Sequence, residues 1–99
     1  MLLLPLLLWG AVLGQEDDLL RIDVYSGTWA AALSKRDGDA VAQRDIRGVV
    51  CVGLVTSDMA CSWKRRVRGR WRTYYGWADL SRERDPQIKT VTRRPSDNR

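Results

Sequence analysis

The apolar run that opens this chain, Met1 to Leu13, most constrains what the remainder can build. It carries no charged side chain, and it is shorter than the roughly 20 apolar residues needed to span a bilayer. Its length, closed by the small residues Val12 and Gly14, suits the apolar region and cleavage site of a secretory signal. Residues 1–14 are therefore expected to be a signal peptide, and the mature chain to be secreted and extracellular. That leaves 85 of the 99 residues for the fold. A chain of this size makes one small domain with a thin core and little surplus stability. The sequence has no histidine, which excludes imidazole metal sites and Ser–His or Cys–His catalysis. Its two cysteines cannot hold zinc unaided; they can form one disulfide or remain as thiols. No cofactor, metal or catalytic group is expected.

Charge divides the mature chain at Cys61. Residues 15–60 carry a net −3, whereas residues 61–99 carry +8. This shift predicts two parts: an ordered acidic segment, 15–60, and a basic C-terminal segment, 61–99.

Within the acidic segment, Leu19 to Tyr25 reads as an extended lead-in, and Ser26-Gly27-Thr28-Trp29 as a turn entering a strand. The following Ala30-Ala31-Ala32-Leu33 suits helix by propensity, but periodicity alone does not separate helix from strand here. Asp37-Gly38 is a turn signal. Gly48 to Thr56 is the clearest strand: five of its nine residues are β-branched, and Ser57-Asp58 stops it.

In this order the elements resemble the N-terminal third of the lipocalin family, especially its epididymal type. The resemblance rests on Gly27-Thr28-Trp29 shortly after the proposed cleavage site, on Tyr25 two residues before the glycine, and on the charged loop and valine-rich strand over residues 40–56. A second trace is Tyr74-Tyr75-Gly76-Trp77-Ala78-Asp79-Leu80-Ser81, which is similar to the pattern ending the lipocalin barrel, with Trp77 where the family has arginine. The family's middle motif is absent, and the chain is about half the expected length. The implied fold class is mainly β: a partial, incomplete lipocalin-like antiparallel barrel, followed by a basic, irregular segment. Gly27 and Trp29 would be the structural motif, with Trp29 packed across the closed end of the barrel. The implied function is binding and transport of a small hydrophobic molecule, with Val50, Val52 and Leu54 as candidate lining residues, although alternation does not say which residues of the strand face inward. A truncated form with no function of its own is the alternative. Cys51 is placed like the thiol of the family's prostaglandin-isomerising members. The supporting hydroxyl would fall at Ala31, which has none, so Cys51 reads as a small apolar strand residue and the chain is not expected to be an enzyme. A Cys51–Cys61 disulfide stands beside the free-thiol alternative.

The run Trp63 to Arg72 points to a function of another class. Lys64, Arg65, Arg66, Arg68, Arg70 and Arg72 alternate with Trp63 and Trp71. Cations of this kind bind the phosphates or sulfates of anionic membranes and polyanions, while indoles enter a lipid interface. In a secreted chain nucleic acid is not the expected partner. As a strand, this run is not expected to separate charge cleanly from apolar residues. The last residues, Thr92 to Arg99, read as a disordered tail.

Overall fold

The computed structural model of the chain describes residues 19–54 and 56–93. The proposed signal peptide, 1–14, lies outside them, as does the tail beyond Arg93. The elements run β1 (Leu20–Asp23), α1 (Ser26–Asp37), a 3-10 turn (Gln43–Asp45), β2 (Ile46–Gly53), β3 (Met59–Val67), β4 (Arg70–Asp79) and β5 (Gln87–Arg93). The strands form one open antiparallel sheet in chain order, β1-β2-β3-β4-β5. The chain is therefore mainly β.

The first departure from expectation is at Gly27-Thr28-Trp29, which lies in the first turn of a helix rather than at the start of a strand. Helix propensity decides it: the three alanines favour the helix, which runs to the turn signal at Asp37-Gly38, where the Gly38 N–H donates to the Ser34 carbonyl at 2.9 Å. The Ser34 hydroxyl donates to the Ala30 carbonyl and accepts from the Val41 N–H, both at 2.8 Å, tying the outgoing loop to the last turn. Trp29, Ala30, Ala32 and Leu33 are the buried helix positions. They pack with Val49, Cys51, Met59, Trp63, Ala78 and Ile88 in a single core. Trp29 meets Trp63 edge-on, ring centres 5.0 Å apart, and Trp63 stacks on Tyr74 at 6.0 Å. Trp29 is fully buried, and its aromatic partner is Trp63.

The second departure is the C-terminal segment, which is regular strand over most of residues 61–93. Cys61 lies inside β3, so the charge boundary is no structural boundary. Antiparallel pairing runs unbroken from Met59 opposite Ala78 to Val67 opposite Arg70. The cations do not prevent this, because the hairpin tip extends past the helix and both of its faces meet solvent.

Register assigns the faces. Directly opposed residues share a face, so Ile22, Cys51, Cys61, Gly76 and Val91 form one row towards the helix. Arg21, Val52, Ala60, Trp77 and Thr90 form a row on the open face. Gly48, at φ 63°, takes up the register shift between Arg47 and Val50, so that Ile46 and Val49 both face the core. Consequently Val52 and Leu54 are 47% and 40% exposed, and Val50 is half-buried beside them. Val50 and Val52, expected to line a ligand cavity, lie on the open face, Leu54 is exposed just past the end of β2, and the other face is filled by α1.

Gly76 allows Trp63 to lie against β4. A Cβ there would collide with the Thr90 carbonyl oxygen and come within 3.1 Å of the Trp63 ring. We expect Gly76→Ala to cost roughly 1–3 kcal/mol, as overpacking of a close-fitted core does. Urea denaturation checks this, and an unchanged midpoint would contradict the packing described.

Candidate functional site

Strand alternation divides the basic run into two sets. On β3 and β4, Lys64, Arg66, Trp71, Thr73, Tyr75 and Trp77 share the open face. Arg65, Arg70 and Arg72 share the other face, beyond the end of the helix, with Arg65 directly opposite Arg72. Arg68 sits in the tight turn at φ 54°. Trp63 leaves the set altogether: it is 1% exposed and belongs to the core.

On the open face the Arg47 guanidinium lies over the Trp71 ring, 3.9 Å from its centre, and that of Arg66 lies 5.5 Å away. Such cation–π contacts are worth about 0.5–1 kcal/mol at exposed sites. They also hold the cations in place. Arg66 is anchored further by Asp45, at 2.8 Å and 3.0 Å. Lys64 stands opposite Arg47. Among the described residues, no carboxylate pairs with Lys64 or Arg47.

On the other face Val67, Arg68, Arg70, Arg72 and Arg93 line a concavity of about 350 Å³. Among the described residues no acidic one borders it, and residues 59–78 contain neither Asp nor Glu. The nearby Arg65 is met by Asp37 at 3.8 Å. Four guanidinium groups around one hollow create a positive potential that attracts anions of any geometry.

No protein-family model, curated protein or solved structure matches this chain. The lipocalin resemblance thus stands on its sequence motifs, and function has to be argued from the surfaces themselves.

Cys51 and Cys61 are bonded to each other across β2 and β3, and both are buried. No free thiol is present, and the nucleophile considered at Cys51 has no thiolate form in this state. Among the described residues, no helix is long and apolar enough to cross a membrane. A larger cleft, 620 Å³, lies between α1 and the β4–β5 loop, but Lys35, Arg36 and Arg82 alternate there with Asp79 and Asp85. Lys35 and Asp85 pair across it at 3.3 Å. The Ser81 backbone N–H, donating to Asp79 at 2.9 Å, holds that carboxyl below its ordinary pKa, helped by the Ser81 hydroxyl and, more weakly, by Lys89 and Arg82. This cleft satisfies its own charges.

The sequence reading found the six hairpin cations but missed Arg47 and Arg93. Neither is in the basic run. Arg47 reaches Trp71 only through the β2–β3 register, and Arg93 joins the arginine hollow only because β5 pairs with β4, Tyr74 opposite Arg93. No local sequence signal marks either residue.

Proposed function

We propose that this chain is a secreted, cationic binding module that holds anionic surfaces and polymers on its β3–β4 hairpin. The observation that carries this reading is the hollow of Arg68, Arg70, Arg72 and Arg93, with no acidic residue on its border among the described residues. Strands fix Arg70, Arg72 and Arg93 at their bases and the tight turn holds Arg68, which lowers the ordering cost of binding. The Arg47–Trp71–Arg66 stack gives the opposite face its own preorganised cations. Secretion rests on the signal-like N terminus, and the disulfide accords with it.

Heparin serves as a general polyanion probe. The full chain should be retained on immobilised heparin and elute as salt rises. Replacing Arg68 and Arg70 together by serine should weaken binding about thirtyfold, since each cation near an anionic surface contributes about 1 kcal/mol. Retention independent of salt, or untouched by this double variant, would count against the proposal.

A lipophilic carrier role, with the open sheet as part of a lipocalin-like barrel, is the second reading. The neighbour-to-neighbour antiparallel order of the strands is compatible with a partial barrel. It has less support, because the face that carries Val50 and Val52 is left open by the five strands, and Val52 is 47% exposed rather than enclosed. Saturable, salt-independent quenching of tryptophan fluorescence by a lipophilic ligand would favour it over the cationic module.

A further inference from the structure

We infer that the anionic partner is a lipid bilayer, and that it docks on the open face of the sheet; this rests on the cationic-module reading above. The open face carries two features at once. Towards the hairpin tip it presents Arg47, Lys64 and Arg66 around Trp71. Towards the other end it presents Val52 and Trp77, 47% and 45% exposed. Trp71 and Trp77 lie on the same side of one strand, six residues apart, and so roughly 20 Å apart along it.

That combination fits a bilayer better than a soluble polymer. A sulfated chain would use the cations but gain little from an exposed row of valine, alanine and tryptophan. An anionic membrane uses both: phosphates and carboxylates meet the cations, while indoles and aliphatic side chains enter the headgroup boundary. The row Val52–Ala60–Trp77 crosses three adjacent strands, so its side chains reach a flat surface together. The acids near this face are already engaged, Asp79, two residues past Trp77, by the Ser81 N–H and the others in ion pairs. Asp23 pairs with Arg21 at 3.4 Å, Asp45 with Arg66, and Asp58 with Lys89 at 3.2 Å. They leave the cations around Trp71 to set the sign of the potential. The arginine hollow lies on the opposite face and takes no part in this contact.

The test is sedimentation of the secreted form, residues 15–99, with vesicles of phosphatidylcholine, with and without phosphatidylserine, alongside heparin retention. Without the N-terminal apolar run, lipid binding reports on the sheet alone. The expected result is binding that needs phosphatidylserine, weakens with salt and shifts tryptophan emission to the blue. Trp77→Ser should reduce vesicle binding on the order of tenfold by removing an interfacial aromatic. It should change heparin retention much less, with circular dichroism showing the fold retained. Val52→Ser, on the same row, should weaken vesicle binding in the same direction. Heparin retention without vesicle binding would overturn the bilayer assignment and leave the cationic module standing. Binding to neither would overturn both. Vesicle binding indifferent to Trp77 and Val52 would overturn the docking face. So would a solution dimer that Trp77→Ser dissociates, which would make a second copy the occupant.

Discussion

Trp63→Ala should abolish the cooperative unfolding transition. Trp63 is the largest side chain contributed by the sheet to the core, 1% exposed, with Trp29 edge-on at 5.0 Å and Tyr74 stacked at 6.0 Å. Truncating a buried tryptophan to alanine costs about 3–5 kcal/mol, the lost transfer energy plus the cavity left behind. A domain this small holds only about 3–5 kcal/mol in all. The indole N–H groups of Trp29 and Trp63 have no hydrogen-bond partner, so this core depends on packing rather than on a polar network. The measurement is a far-ultraviolet circular dichroism melt beside Trp71→Ala. Trp71 is half-buried on the open face, and its loss should move the midpoint only by a few degrees. A cooperative Trp63→Ala melt within a few degrees of the parent would mean that the aromatic stack is not the centre of the core.

The contrast between these tryptophans also shows what could be read from the sequence. Both stand in the same run of arginines and look alike there, yet pairing sends Trp63 inward and Trp71 outward. The valine-rich strand was legible because β-branched residues dominate it. Its facing was not, because Gly48 shifts the parity between Ile46 and Val49, and a bulge leaves no mark in an alternation pattern. The first-strand assignment at Trp29 failed where a tripeptide motif competed with three alanines and the helix won. Residues 61–93 were hardest. Their charge density suggests a solvated coil, and only the long pairing of β3 with β4 shows that a hairpin can carry cations on both faces once it extends past its core. The hairpin cations were therefore found by composition, whereas their division into a hollow and a face required the register.

Removing the disulfide should produce the second large effect. Cys51 and Cys61 lie directly opposite each other in the register and close a loop with a sequence separation of 10. Chain-entropy reasoning assigns such a short loop roughly 2–3 kcal/mol of stabilisation through the unfolded state. For a domain of this size that corresponds to a fall of about 10–20 °C in Tm. Cys51→Ala/Cys61→Ala tests it without leaving a buried thiol, and the parent in excess dithiothreitol should melt at a similar temperature. The bond also has a structural consequence beyond stability. A one-residue slip between β2 and β3 would send Val52 inward and Cys51 outward, dismantling the Arg21–Val52–Ala60–Trp77–Thr90 row. Below its own melting temperature, the double alanine variant should keep the heparin affinity of the hairpin, which is set by β3, β4 and β5. It should lose vesicle binding in proportion to any slippage of β2. Equal losses on heparin and vesicles would instead mean that the whole sheet had come apart, and an unchanged Tm would show that the loop contributes nothing to the fold.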